Sequence, residues 1–228
     1  MMLECRGLTK WFGSKEAVAD LTLNIEKGKI YGLLGENGSG KTTWMKMVSG
    51  LTKPGTGEII YDGHMLGYED KAKIAYMATE PFFYDFMKVQ DVGEYYRAFF
   101  EDFDMDRYVE LIGKMGLTPD MKVKSLSSGM AAKLKLAATL ARQAELYLLD
   151  EPLNGIDYKA REEIINLILE EADGENTFVI STHLLEEIES FIEYAVFIKD
   201  GHLVNKVCLE AERMRSGRSL AELYVDIM

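Results

Sequence analysis

With 228 residues, 47% of them hydrophobic, the chain can bury a sizeable interior, which excludes a disordered segment. The 26 Lys and Arg residues against 38 Asp and Glu leave a formal net charge of -12, which excludes a broad nucleic-acid footprint and predicts no nucleic-acid partner. Two cysteines, Cys5 and Cys208, stand at opposite ends and read as reduced thiols. The N-terminal MMLECRGLTK carries Glu4 and no apolar core of a secretory signal, and no run approaches the ~18 apolar residues of a membrane span. The expectation is a single cytoplasmic domain over residues 1–228, whose contact with any membrane runs through a partner.

Residues 1–31 alternate apolar positions such as Leu21, Leu23 and Ile25 with glycine-containing turns, the pattern of antiparallel strands. Ile30 to Leu34 is a continuous apolar run ending in a glycine-rich loop, as a buried parallel strand does. Thr43 to Ser49 reads as a helix stopped by Gly50 and Pro54. Asp62-Gly63 and Asp200-Gly201 interrupt β-rich segments and predict two hairpins. From Val89 to Gly116 the period becomes helical, and Tyr95, Tyr96, Phe99, Phe100, Tyr108, Leu111, Ile112 and Met115 are expected to form the core face of a small lobe. LYLLDEP (146–152) and TFVISTH (177–183) return to buried-strand character. The fold class is therefore α/β, with an N-terminal antiparallel β subdomain, a mixed-sheet core and a helical subdomain inserted at about 85–142.

The stretch LLGENGSGKTTW satisfies G-x-x-x-x-G-K-[ST] through Gly35, Gly40, Lys41 and Thr42, between a strand and a helix. That context predicts the phosphate cradle of a P-loop NTPase, built from Gly35, Glu36, Asn37, Gly38, Ser39, Gly40, Lys41, Thr42 and Thr43. Lys41 supplies charge to the β- and γ-phosphates of a nucleotide, and the Thr42 hydroxyl suits Mg²⁺. Asp150 ends an apolar run, so its carboxylate is expected at the sheet edge where open α/β folds bind ligands, within the Mg²⁺ shell. Glu151 follows as the candidate general base toward water.

LSSGM (126–130) precedes a helix over AAKLKLAATLARQA, with Ser127 or Ser128 suited to cap it. Placed between the glycine loop and LLDEP, it resembles the LSGGQ signature of ATP-binding-cassette (ABC) ATPases, and the resemblance runs through nearly the whole chain. The resemblance implies that Phe12 in KWFG stacks on adenine, with neighbouring Trp11 the weaker candidate. It further implies that Asn154-Gly155-Ile156-Asp157 is a dimer-contacting loop and that His183 senses the γ-phosphate. Ser127, Ser128, Gly129 and Met130 would touch the nucleotide of a second ATPase subunit. Two departures stand out: Thr79, beside Glu80, holds the place of the family's Q-loop glutamine, and Ser128 and Met130 alter the signature. Similar relaxed motifs mark ABC-2-type exporters, which implies an ATPase subunit whose ATP-driven dimerisation powers a transmembrane permease from the inner membrane face. Phe82, Phe83, Tyr84, Phe86 and Met87 would then receive that permease. The alternative is an ABC-type ATPase with a regulatory role outside transport.

Overall fold

The computed structural model describes residues 1–80 and 83–228, so Phe82 lies outside the described residues. Strands β1 (Leu3–Phe12) and β2 (Lys15–Ile25) pair antiparallel, and their apolar residues alternate inward because successive strand side chains point to opposite faces. β3 (Ile30–Leu34) leads into α1 (Lys41–Val48), and β4 (Thr56–Tyr61) with β5 (His64–Met65) completes a four-stranded antiparallel sheet. Asp62 and Gly63 turn the β4–β5 hairpin at φ +52° and +84°, the two-residue turn anticipated from the sequence. His64 of that hairpin lies 3.0 Å from the buried Asp70 carboxylate.

The chain then enters β6 (Ile74–Met77) and the helical lobe, α2 (Val89–Phe99), α3 (Met105–Lys114) and α4 (Ser128–Leu140). It returns through β7 (Leu146–Asp150), α5 (Tyr158–Glu171), β8 (Thr177–Thr182) and α6 (Leu185–Ile188). β9 (Tyr194–Lys199), β10 (His202–Cys208), α7 (Leu209–Ser216) and α8 (Leu220–Ile227) close the described chain. Asp200 and Gly201 make the second anticipated hairpin, between β9 and β10.

The second sheet has six strands in the order β10-β9-β3-β8-β7-β6, and only β10 runs antiparallel to its neighbour. Alternate residues feed two cores. Tyr31, Leu33, Leu146, Leu148 and Val179 join Trp44 and Met45 of α1 and the antiparallel sheet on one face. Ile30, Leu34, Tyr147, Leu149, Phe178 and Ile180 join the helical lobe on the other. A sheet buried on both faces explains the continuous apolar runs seen in the sequence.

The helical lobe corrects two expectations. The helical stretch 89–116 is divided into α2 and α3, because the Asp104 carboxylate accepts the Arg107 N–H and starts α3 afresh. Tyr96, Tyr108, Leu111, Ile112 and Met115 are buried as expected, but Tyr95 and Phe99 are exposed, their rings tilted at 43° with centroids 4.7 Å apart. The helix after LSSGM begins at Ser128, since Ser127 is the residue that caps it by accepting the Met130 N–H at 3.2 Å. It ends at Leu140, where buried Arg142 leaves the helical path. Its guanidinium donates to Asp102, Ala72 O and Ile74 O, and sits 4.2 Å over the Phe100 ring. Cys5 and Cys208 are both free thiols, and burial pushes the Cys5 thiol up to about 12.

Candidate nucleotide site

Four parallel strands end on one edge, and the candidate residues follow from where each strand stops. β3 delivers the glycine loop, β7 delivers Asp150 and Glu151, β8 delivers His183, and β6 delivers Thr79. A cleft of 510 Å³ opens there. It is lined by Asn37, Gly38, Gly40, Lys41, Thr42 and Thr43 of the glycine loop and α1, by Thr79, Glu80, Glu151 and Asn154, and by Phe12, Lys15 and Ala17.

The glycine loop packs too tightly for side chains where it turns. A Cβ on Gly40, which sits at φ +111°, would come 2.6 Å from Ala17 O. The first turn of α1 leaves backbone N–H groups without intrahelical partners, and it aims the positive end of the helix into the cleft. Lys41 is buried, and its Nζ donates to Gly35 O at 2.7 Å and Glu36 O at 3.1 Å. Burial lowers the pKa of the Lys41 ammonium, opposed by the nearby Glu151 and Asp150 carboxylates.

Asp150 sits at the strand end but is fully buried rather than emerging at the edge. Its Oδ1 accepts from Ser181 Oγ at 2.6 Å and its Oδ2 from Tyr76 OH at 3.1 Å. Ser181 is bivalent, because its Oγ also accepts the Glu151 N–H at 3.0 Å. Glu151 has left the strand, at φ +50°. Only a constrained surrounding keeps a non-glycine residue in that region, and such strain gathers at functional sites. One oxygen, Oε2, lies 3.0 Å from His183 Nδ1. The other, Oε1, is buried without a hydrogen bond among the described residues and stands 3.7 Å from Lys41 Nζ. The arrangement holds a carboxylate, a cation and a cradle of N–H groups around one space, which suits a polyphosphate and a water.

Several sequence candidates stand apart from this cleft. Gly35 is wedged under Ile198 O, and Glu36 and Ser39 line a separate 320 Å³ cleft with Tyr224 of α8. Phe12 is exposed at the cleft, with the Lys10 ammonium 5.5 Å above its ring, whereas the Trp11 ring packs against Gly55. Ser127, Gly129 and Met130 line a 150 Å³ hollow with Asp157, the capping residue of α5. Ser128 lines a 370 Å³ cavity that shares Thr79, Glu151 and Asn154 with the main cleft. Ser127 and Ser128 are exposed and Gly129 is buried, and none of residues 127–130 lines the main cleft itself.

At the Q-loop position, Thr79 Oγ1 donates to Asp150 O at 3.2 Å. Glu80 pairs with Lys46 at 3.2 Å, and its own backbone N–H, followed by Lys46, holds its carboxyl below the usual range. Sequence reasoning missed Tyr76, Ser181 and Lys135. Ser181 and Tyr76 sit in strands whose hydroxyls looked like ordinary buried-strand polarity. Lys135 alone carried a signal, a cation between the buried Leu134 and Leu136.

The family model for "ABC transporter" matches residues 18–154. The ABC transporter ATP-binding protein YtrB of Bacillus subtilis (strain 168) is 34% identical over 212 residues, covering 92% of this chain and 73% of that protein. The lantibiotic transport ATP-binding protein SrtF of Streptococcus pyogenes is 33% identical, covering 98% and 96%. The bacitracin transport ATP-binding protein BcrA of Bacillus licheniformis is 31% identical, covering 96% and 74%. Among solved structures, an ATP-binding subunit of an ABC transporter superposes with a TM-score of 0.88 at 24% identity, over 100% of this chain and 99% of that one. A dimeric ATP-binding cassette in a post-hydrolysis state with ADP and Pi superposes at 0.81 and 23% identity, over 91% and 99%. These two share the fold.

Proposed function

Since this chain belongs to the ABC transporter family of ATP-binding cassettes, we propose that it is the hydrolysing subunit of an exporter, with Glu151 as the base. In this reading Phe12 stacks on the adenine, and the Asn37–Thr43 loop holds the phosphates through its N–H groups and the helix end. Lys41 exchanges the carbonyls of Gly35 and Glu36 for phosphate oxygens, where a desolvated cation forms stronger, charge-assisted bonds. Glu151 takes a proton from water as that water attacks the γ-phosphorus and the bond to the β-phosphate oxygen breaks. His183 holds the other oxygen of Glu151 and fixes the direction of the carboxylate. The observation that carries this reading is Glu151, its backbone in the left-handed region and its buried Oε1 without a hydrogen bond among the described residues, 3.7 Å from Lys41 Nζ.

The oxygen donors Thr42 and Asp150 fit Mg²⁺, a hard cation. Among the described residues no group of three or more His, Cys, Asp or Glu could hold a metal alone. The ion would therefore be shared with phosphate oxygens, neutralising charge that develops on them.

The exposed Ser127 and Ser128, with Gly129 and Met130 beside them, support a head-to-tail partner cassette, homologous or identical, whose ATP they would contact. Among the described residues no helix is long and apolar enough to cross a membrane, so transport calls for a permease subunit. Tyr84 and Phe86, exposed and stacked at 5.3 Å beside partly buried Phe83 and buried Met87, are our candidate for its docking point. The export reading rests on relatives named for lantibiotic and bacitracin transport. The test is phosphate release in lipid vesicles with and without a co-expressed polytopic permease of the bacitracin or lantibiotic export type. Stimulation by that protein supports the motor role, and hydrolysis that no membrane partner alters contradicts it.

A further inference from the structure

Lys135 lies two turns into α4, half-buried between two buried leucines, at a place where an apolar side chain would pack without desolvating a charge. Among the described residues it forms no ion pair. Instead its Nζ donates to two consecutive main-chain carbonyls, Ala78 O at 2.9 Å and Thr79 O at 2.8 Å. Burial lowers the pKa of this ammonium, against the opposing pull of Glu80 and Asp150.

The segment that Lys135 grips is itself fixed to the catalytic strand. Thr79 Oγ1 donates to Asp150 O, and Tyr76 OH donates to Asp150 Oδ2. Residues 76–79 thus form a short bridge, held at one side by α4 and at the other by both the main chain and the carboxylate of Asp150. At 1.5 Å of rise per residue, Lys135 stands about 12 Å along the same rigid helix from the Ser127 cap. The signature, exposed at Ser127 and Ser128, and the buried Asp150 are therefore the two ends of one hydrogen-bonded linkage, in a chain that has threonine at the position of the family's glutamine.

We propose that Lys135 is a positioning residue that ties the signature helix to Asp150, so that engagement of one subunit's signature sets the carboxylate of its own ATP site. The inference rests on the dimeric ATPase reading given above. It makes the two sites of a dimer interdependent, and it assigns the linkage to main-chain carbonyls held by a lysine.

The experiment compares wild type, Lys135→Met, which keeps the length and removes the donors, and Lys135→Arg, which keeps charge and donors and has the adjoining 370 Å³ cavity to fill. Initial rates across ATP concentrations give kcat, KM and the Hill coefficient, and a fluorescent ATP analogue titrated with Mg²⁺ gives binding. Lys135→Met is expected to bind the analogue within about two-fold of wild type, since Lys135 touches no nucleotide. Its kcat falls roughly ten- to hundred-fold, the range for a misplaced catalytic group. Its Hill coefficient drops toward one from a wild-type value above one, the signature of lost coupling between sites. Lys135→Arg recovers most of both. If Lys135→Met does not fold, Lys135→Gln takes its place with the same expectation. Full turnover and unchanged cooperativity in Lys135→Met, or an arginine no better than methionine, overturn the linkage while leaving the ATPase reading intact. A wild type that hydrolyses no ATP overturns both.

Discussion

On the core side of the cleft, Ser181, Asp150, Glu151 and His183 are joined by hydrogen bonds of 2.6 to 3.1 Å, all from the ends of two adjacent strands. On the helical side, the bridge of residues 76–79 and the middle of α4 meet through one lysine and two main-chain carbonyls. The core wall is anchored in a sheet buried on both faces, so its groups are pre-aimed and lose little freedom when a nucleotide arrives. The helical wall belongs to a lobe whose aromatic cluster packs partly on itself, through Tyr96, Phe100, Phe103 and Tyr108. The contrast separates two jobs: the first wall is arranged for chemistry and the second for transmitting position.

Substitutions on the core wall should cost most. Glu151→Gln is expected to lower ATP turnover by roughly 10²–10⁴-fold, the usual contribution of a positioned base, while nucleotide binding persists. Phosphate release and fluorescent-nucleotide titration measured together check it, and a variant at the wild-type rate would remove Glu151 from the base role. Lys41→Ala should come next and act on binding, since bonds to charged groups contribute about 1.5–3 kcal/mol each. Calorimetric titration with Mg-ATP should show at least a ten-fold weaker Kd.

Ser181→Ala sharpens the comparison further. It removes a donor from buried Asp150 and an acceptor from Glu151 N–H, so about 1–3 kcal/mol of stability should be lost, read by chemical denaturation. An unchanged midpoint would mean that the core wall is less interlocked than the bonds imply.

Phe12→Ala should weaken ATP binding by about 1–3 kcal/mol, with a similar loss for GTP because a stacked ring reads no base edge. Trp11→Ala should leave nucleotide affinity alone, since Trp11 packs on Gly55. The reverse result would move the stacking residue by one position. The smallest effect belongs to Thr79→Ala, which deletes one neutral hydrogen bond of about 0.5–1.5 kcal/mol yet keeps the carbonyl that Lys135 grips. Steady-state rates should fall by no more than about ten-fold, less than for Lys135→Met.

The glycine loop, Asp150 and Glu151 were legible in the sequence because they are tied to local patterns, whereas the burial of Asp150 and its bond to Ser181 were not. A glycine loop between an apolar strand and a helix, and an acid after a purely apolar run, are dictated by backbone geometry and burial. The hairpins at Asp62-Gly63 and Asp200-Gly201 were legible for the same reason. The helical wall was less so. The helical period gave no boundary within 89–116, and the cap that Asp104 supplies to α3 emerges only in the structure. Exposed Tyr95 and Phe99 carried the same helical period as buried Tyr96. Lys135 meets Ala78 and Thr79 only through tertiary contact across 56 or more positions of sequence, so no local pattern encodes it.

The most direct test of the central claim is the solution mass of Glu151→Gln by light scattering, with Mg²⁺ and either ATP or ADP. The two-walled site predicts a mass that doubles with ATP and stays monomeric with ADP, because an unhydrolysed γ-phosphate joins one subunit's loop to the other's signature. A protein that remains monomeric in saturating ATP, while binding it, would contradict the account.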